Sequence, residues 1–489
     1  MSATSIAALS ARYGPRYRWL LMASVMVGTM ASIMSSTIVN VAIPDMSHHF
    51  TLGQERAQWV SSGFMVAMTV SMLTTPWMLG RFGYRRTYTG TMLLLMAGGI
   101  GGGFASQFWM VLAARVAEGL AAGIVQPIPA IIMMRAFNPG EQGRASGMFG
   151  MGVVLAPAIG PSIGGVLVDW FGWRSIFFMV VPFCLAALYL SHKFVPDSAP
   201  GGSDAERGSR LDWLGLLLAG AGTLCLLNGL VELHGRNHYV AGGLLGAAGV
   251  CLALFLGWQR KAASVGREPL MDLALFGNRT FALGSSVAFI YGMALFGSTY
   301  LLPVFMQLCL KLPATQVGSI LLPSGIILAF TIGGVGRLVR RVPTYVLVTT
   351  GLVLLTASFV LTGTAVSLDS GVGVLMAWSI LGRIGLGFIL PSLNLGSMRQ
   401  LDKDLIPHGA SAINFLRMLG GAAGVSLCGI FLEWRLTAHG DSLTNAATSA
   451  ARLAAFDESF FFLAAVCALA MLASWQLKQR GPRRAAAGE

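Results

Sequence analysis

Charge is the scarcest property of this chain. Only 11% of its 489 residues are Asp, Glu, Lys or Arg, while 55% are hydrophobic, and the mean hydropathy is +0.70. A soluble domain carries charge on about a quarter of its residues, so a water-soluble globule is excluded and a polytopic membrane protein is expected. Cysteine is also sparse. The six, Cys184, Cys225, Cys251, Cys309, Cys428 and Cys467, stand singly in apolar runs with no CxxC spacing, which points to neither a disulfide framework nor a metal site. The histidines fall in expected loops or at span ends, the pair His48 and His49 included, and no metal is expected there. No nucleophile stands with a base, no spacing suits metal ligands and no Gly-rich loop suits phosphate, so the chain is not expected to be an enzyme. The formal charge of +13 comes without a basic patch interleaved with aromatics, so no nucleic-acid partner is expected. The first 15 residues show no cleavable signal pattern, and the first apolar run is long enough to stay as a span.

Long hydrophobic runs are what the chain has in abundance. Hydropathy windows of ~20 residues give six spans at Arg18–Ile43, Ala57–Leu79, Thr87–Ala105, Gln107–Met134, Ala145–Val168 and Trp173–Leu190. After a polar linker from His192 to Arg210 come Trp213–Leu233 and Val240–Trp258. A second charged linker precedes Phe281–Leu302, Gln316–Gly336, Tyr345–Val366, Gly371–Met398, Ala410–Trp434 and Phe460–Gln476. About fourteen spans, arranged 6 + 2 + 6, divide the chain at 1–192, 193–279 and 280–489. Of the 33 Lys and Arg, 24 fall on the side of the termini and six on the other, while Arg115, Arg383 and Arg417 lie within spans. That asymmetry predicts cytoplasmic termini.

An internal repeat appears once the two middle spans are set aside. Gly123 and Pro127 in the fourth span correspond to Gly387 and Pro391 in the twelfth, and the short basic loop Gly80-Arg81-Phe82-Gly83-Tyr84-Arg85-Arg86 corresponds to Gly336-Arg337-Leu338-Val339-Arg340-Arg341. Many secondary transporters are built from two such halves with the binding site between them near the midplane.

Two charges sit in the fourth span, Arg115 and, one turn later, Glu118. An ionised side chain at that depth costs roughly 2.5 to 3.5 kcal/mol on insertion scales, so Glu118 must face protein or a water-filled cavity. Burial disfavours its charged form while the arginine at i, i+3 favours it. The pair reads either as a structural lock between helices or as a proton site that gains and loses its proton during transport.

In the fifth span, Ala156-Pro157-Ala158-Ile159-Gly160-Pro161-Ser162-Ile163-Gly164-Gly165 places small residues where helix backbones can approach closely, with Pro161 favouring a kink. The string of Gly160, Pro161, Gly164 and Gly165 resembles the antiporter motif of the major facilitator superfamily. The loop motif with Arg81, Gly83, Arg85 and Arg86, the first-helix run Ser36 to Pro44, Arg115 to Gly119, Asp212-Trp213-Leu214-Gly215 and Asn414 to Arg417 are similar to its fourteen-helix drug:proton antiporter branch, most of all to EmrB-type multidrug efflux pumps. The resemblance implies an all-α major facilitator fold with two pseudo-symmetric halves in a bacterial inner membrane. It also implies export of amphipathic drugs in exchange for protons, driven by the proton gradient with no cofactor. Three departures stand out: Ser35 and Gly80 occupy positions where the family usually carries acids, and Arg340 stands where the second loop copy would have its acid. Glu118, where relatives often have Gln, is then the one carboxylate expected deep in the membrane, so proton coupling concentrates on it.

A cavity between the halves would draw polar contacts from Thr37, Asn40, Gln126, Gln307, Asn394 and Asn414, with Arg383 and Arg417 offering sites to an anionic group and Phe64, Tyr291 and Phe305 offering rings. Each has an ordinary alternative, in satisfying backbone or filling core. Three intramembrane arginines against one acid tilt the substrate toward neutral or acidic amphiphiles, and a specific, anionic metabolite is the competing reading. The outer segment Arg435–Glu458 resembles the extra loop of the EmrB type, which implies a periplasmic adaptor protein and an outer-membrane channel as partners beside membrane lipid. A nutrient symporter on the same fold is the rival for direction, and a channel is the less favoured one.

Overall fold

The computed structural model describes residues 5–52, 54–197, 210–233, 238–265, 268–367, 370–441 and 449–476, and those residues are almost entirely helical. A short helix, α1 (Ile6–Tyr13), leads into α2 (Tyr17–His49), α3 (Gln54–Ser71), α4 (Thr75–Phe82), α5 (Tyr84–Gly103), α6 (Phe108–Val125), α7 (Ile128–Ala136), α8 (Pro139–Phe171), α9 (Ser175–Phe178) and α10 (Val180–Phe194). A hairpin of α11 (Trp213–Glu232) and α12 (His238–Ser264) follows. The remainder is α13 (Arg279–Val304), α14 (Ala314–Leu338), α15 (Thr344–Ala365), α16 (Val372–Met398), α17 (Ile406–Ala438) and α18 (Ala450–Trp475).

Lipid offers no hydrogen-bond partner, so many hydroxyls in these helices turn back to their own backbone. In α2, Ser24 donates to the Leu20 carbonyl at 2.6 Å and Thr29 to that of Val25 at 3.0 Å, the back-bonding that lets small polar residues ride in an apolar helix. Among the described residues twelve segments are long and apolar enough to cross a bilayer. Fourteen were expected from hydropathy. Helices α5 and α8 occupy two of the expected places with 20 and 33 residues, but neither is among the twelve.

Other boundaries move for local reasons. The fourth span is not one helix: α6 gives way to α7 at Gln126 and Pro127, where proline removes a backbone donor. His48 and His49 belong to the end of α2 rather than to a loop. The last helix starts at Ala450 instead of Phe460, capped by Ser449, whose hydroxyl accepts from the Arg452 amide at 3.0 Å. Much of the long outer loop expected from Arg435 to Glu458 is therefore helix. Arg435 and Glu458 pair across it, and Arg452 reaches Asp441 at 3.3 Å and the Leu308 carbonyl at 3.1 Å; 442–448 lie outside the described residues.

Helices α2 to α10 pack mainly on one another, as do α13 to α18. The two groups meet at the end of the bundle that carries most of the basic residues. There Arg135 donates to the Lys403 carbonyl at 2.6 and 3.1 Å. Close by, α8 and α14 approach most tightly at a pair of glycines: a Cβ on Gly336 would stand 2.6 Å from the Gly147 Cα, while Ile332 lies against Gly150 and Met151 against Gly333 further along. Helix α11 lies against both α3 and α17. Its hairpin with α12 is pinned by Asp212, which accepts from the Gly215 amide at 2.9 Å, the Trp258 indole at 2.8 Å and the Gln259 amide at 2.8 Å. That accounts for the acid and the glycine of the run Asp212-Trp213-Leu214-Gly215, since a Cβ on Gly215 would overlap Asp212 Oδ2, whereas Trp213 itself is exposed.

Candidate functional site

Arg115 and Glu118 project from the same face of α6 and are both 1% exposed, with Nη1 of the arginine 2.6 Å from Oε2 of the glutamate. The third member of the cluster comes from α2. Ser35 accepts from Arg115 Nη1 at 3.0 Å and donates to Glu118 Oε2 at 3.2 Å, while its carbonyl also accepts from Nη1 at 3.2 Å. From α3, the Val60 carbonyl accepts from Arg115 Nε at 3.3 Å, and the Phe64 ring lies 4.2 Å from the guanidinium carbon, close enough for a cation–π contact. Helix α5 closes the site from the fourth side. A Cβ on Gly98 would stand 2.7 Å from Glu118 Cγ, so only glycine there lets α5 lie against the carboxylate.

The arrangement is asymmetric in a useful way. Oε2 takes both hydrogen bonds, whereas Oε1 is buried and has no partner among the described residues, as is Nη2 of Arg115. An unsatisfied buried polar atom costs about 1 to 3 kcal/mol. Oε1 can accept a proton without any existing hydrogen bond being given up. Ser35 of α2 thus bonds directly to Arg115, and the carboxylate beside this arginine comes from α6.

Phe64 joins this cluster to the other group of helices. It is fully buried and packs with Met68, Met72, Ala122 and Met418, with Met65 and Phe296 at the edge. Met418 belongs to α17, next to Arg417. Arg417 Nη2 donates to Asn414 Oδ1 at 2.8 Å, and Asn414 in turn donates to the Ala410 carbonyl at 2.8 Å. Tyr291 of α13 is buried next to Gly292, whose lack of a side chain lets α13 lie against the Arg417 backbone. Arg383, from α16, is half-buried and makes no hydrogen bond or ion pair among the described residues. Asn394, about three turns further along α16 on a similar face, is also half-buried.

Several expected cavity residues are occupied otherwise. Thr37 donates to the Met34 carbonyl at 3.2 Å and sits in the seam between α2 and α8, where a Cβ on Gly160 would stand 2.8 Å from its hydroxyl. Asn40 is exposed and accepts from Ser61 at 2.7 Å. Gln126 is buried, with its amide 3.2 Å from the Met68 sulfur. Gln307 is exposed in the π-helical turn after α13. Phe305, suggested as a stacking ring, is a core residue instead, wedged against Phe456 and Phe460 at centroid distances of 5.3 and 5.4 Å.

The motif glycines divide in the same manner. Gly160 and Gly164 face α2, whereas Gly165 faces open space. Helix α8 runs through Pro161 without interruption; the Pro161 side chain lies outside the described residues. Gly83 ends α4 at φ +78, a conformation that favours glycine. The adjoining Tyr84 amide donates to the Asp197 carbonyl at 3.2 Å, and Arg85 donates to the His192 carbonyl at 2.8 Å. This loop is tied to the exit of α10, while Arg81 and Arg86 are exposed. Sequence reasoning did not find Asp457 and Glu458 inside a helix. Both lie in α18; Glu458 pairs with Arg435, and Oδ1 of Asp457 is buried without a hydrogen-bond partner among the described residues. The signal that was available is the Ser449 cap, which starts the helix ahead of its most apolar stretch.

Comparison with known proteins agrees with this geometry. The chain is 26% identical over 476 residues to the uncharacterised MFS-type transporter YcnB of Bacillus subtilis, covering 96% of this chain and 97% of that one. It is 28% identical over 438 residues to the multidrug resistance protein B homolog of Mycobacterium tuberculosis, covering 87% and 78%. The solved proton:xylose symporter XylE shares the fold at a TM-score of 0.65 and 13% identity, covering 95% of this chain and 96% of that one. Residues 25–425 match the Major Facilitator Superfamily, and the chain belongs to that superfamily as a multi-span membrane transporter with multidrug-resistance proteins among its relatives, not as an enzyme.

Proposed function

We propose that this transporter exports amphipathic drugs or toxic small molecules across a bacterial inner membrane in exchange for protons, by alternating access and with no cofactor. In this reading α5 and α8 complete a set of fourteen spans, the inserted hairpin separates two six-helix halves at 192 and 279, and the basic end, with both termini, is cytoplasmic. The state described is then shut toward the cytoplasm, where Gly147 meets Gly336.

The observation that carries the proposal is the free Oε1 of Glu118 beside Arg115. Protonation there neutralises the acid, removes its desolvation cost and loosens its hold on the guanidinium. Arg115 is held by Ser35 of α2 and by Val60 and Phe64 of α3, and Phe64 packs on Met418 of the other half. The protonation state of one side chain therefore bears on the contact between halves, and a ligand or proton shifts such an equilibrium by its differential affinity for the two states. The resemblances to multidrug resistance proteins support the direction. An adaptor protein would dock on the outer segment between α17 and α18.

Inverted vesicles loaded with an imposed pH gradient, acid inside, and a fluorescent lipophilic dye outside test this directly. Dye accumulation that collapses with the gradient is the expected result. Dye moving in the same direction as protons, or an ohmic current that does not saturate, would replace the proposal with a symporter or a channel.

A further inference from the structure

We propose that protons reach Glu118 from the end of the bundle opposite the basic residues, through the seam between α5 and α9, and not through the cleft between the two groups of helices. Cargo and proton then use separate doors. The route rests on the reading of Glu118 as the proton site and specifies how that site is loaded.

The two carboxylate oxygens look in different directions. Oε2 is turned to Arg115 and to Ser35 of α2, and the guanidinium leads on through Phe64 to Met418 of the other group. Oε1, buried and without a partner among the described residues, is turned to α5 and α9. A Cβ on Gly99 would stand 3.6 Å from Oε1 and 2.8 Å from the Phe177 carbonyl oxygen, so little more than the breadth of a methyl group separates the acid from α9. Helices α5, α9 and α10 pack mainly within the first group, which puts the free oxygen on the side away from α13 to α18. A proton arriving through the cleft meets Oε2, which already accepts two hydrogen bonds. One arriving through the seam meets Oε1, which accepts none. The titratable groups around the acid are Arg115 on its own helix and the buried thiol of Cys184 on α10, while α2, α3 and α5 present Ser35, the Val60 carbonyl, Phe64 and glycine to the pair.

The wall of the seam is thin. Gly99 and Gly103 stand about 6 Å apart along α5, and the helix ends at Gly103. Over that turn two phenyl rings close the space: a Cβ on Gly102 would overlap the Phe177 ring, and one on Gly103 the Phe178 ring. Both rings belong to the short α9, which breaks from α10 at Met179, and Pro182 has no amide to return to the Phe178 carbonyl. Phe178 also forms the near wall of an open groove of about 510 Å³ between α8 and the start of α10, lined by Leu167, Phe171 and Phe183 with Ser175 and Arg174. Arg174 Nη2 donates to the Ala105 carbonyl at 3.1 Å and stands 3.3 Å from His49 Nε2, and Asp169 is exposed near the end of α8, so the groove opens beside polar and charged groups. Rotation of Phe177 and Phe178 between side-chain wells admits water as far as Oε1 without parting the two groups of helices, and the glycines of α5 leave the room for it.

The test follows the carboxylic C=O band of Glu118, identified as the band lost in Glu118→Gln, by time-resolved infrared spectroscopy after a caged-proton pH jump, with the full-length protein in lipid nanodiscs. Leu167→Cys is purified folded and only then capped with benzyl methanethiosulfonate, which fills the groove; the unaltered protein given the same reagent controls for its own six cysteines. Capping should slow the rise of the band about tenfold or more and leave cargo affinity unchanged. Phe178→Ala should quicken the rise, and saturating cargo should leave its rate as it was. An unchanged rate in protein whose mass shows it to be capped overturns the route, as does slowing by cargo alone. Absence of any band that Glu118→Gln removes would sink the proton reading of Glu118 and the route with it; a clear band whose rise ignores the groove sinks only the route.

Discussion

Replacing Glu118 by Gln keeps the shape of the side chain and removes its charge and its ability to carry a proton. In the structure the amide can still accept at the position of Oε2, and Arg115 keeps the Ser35 carbonyl and hydroxyl and the Val60 carbonyl. Breaking a buried ion pair costs about 3 to 5 kcal/mol, and with three of the guanidinium's acceptors in place the lower figure applies. The variant should therefore fold with reduced thermal stability. Its transport should change in kind. A proton crossing at a potential of about 100 mV and a gradient of about one pH unit releases about 3.7 kcal/mol, enough to hold a neutral cargo at a concentration ratio of about 500. In proteoliposomes held under those conditions, the unaltered protein should build such a gradient within its leak limit. The Gln variant should bring the cargo only to equality, yet still exchange labelled for unlabelled cargo across the membrane. Cargo concentrated severalfold by the Gln variant under the same gradient would show that the proton is carried elsewhere, and the assignment of Glu118 would be abandoned.

Two further outcomes follow from the same geometry. Because Ser35 touches the same guanidinium nitrogen as Glu118, the double substitution Ser35→Asp with Glu118→Gln should return an acid to Arg115 and restore pH-driven accumulation to a substantial fraction, where Glu118→Gln alone has none; no recovery in a folded double variant would mean that position on α6, and not proximity to Arg115, is what matters. Gly336→Ala drives a Cβ into the Gly147 backbone, which cannot yield as a flexible side chain would. It should shift the population away from the state shut at the basic end. Spin labels replacing the exposed Arg86 and Arg399 would read this as a longer distance distribution, and an unchanged distribution would count against the glycine contact as the closing surface.

The sequence carried the Arg115–Glu118 pair because i, i+3 spacing on a helix needs no tertiary knowledge to predict a contact. It also carried the placement of most spans, since apolar length alone indicates a membrane helix. What it did not carry were contacts made across helices. That Ser35 and Phe64 complete the site depends on how α2 and α3 rotate about their own axes, which hydropathy does not encode. The same blindness made Thr37 look like a cavity residue when it is turned into the α8 seam, and Phe305 look like a ligand platform when it fills the core between α13 and α18. The last helix was expected too late because Arg452, Asp457 and Glu458 depress local hydropathy, although two of them are neutralised by partners that are themselves charged. Arg383 was legible as a charge in a span but not as an unmet one, which is a statement about every neighbour at once.

The hairpin of α11 and α12 has a mechanical implication of its own. It is stapled at one end by Asp212, and α11 rests on α3 and α17 together, so under the proposed alternating access any rocking of the halves would drag it sideways through the surrounding acyl chains. Helix α12 buries only 17% of its most apolar window within the protein, which leaves nearly all of that surface as a paddle in the bilayer. The viscosity and thickness of the host membrane thereby become part of the work of each turnover, and the same polypeptide should cycle at different speeds in thin fluid lipid and in thick ordered lipid.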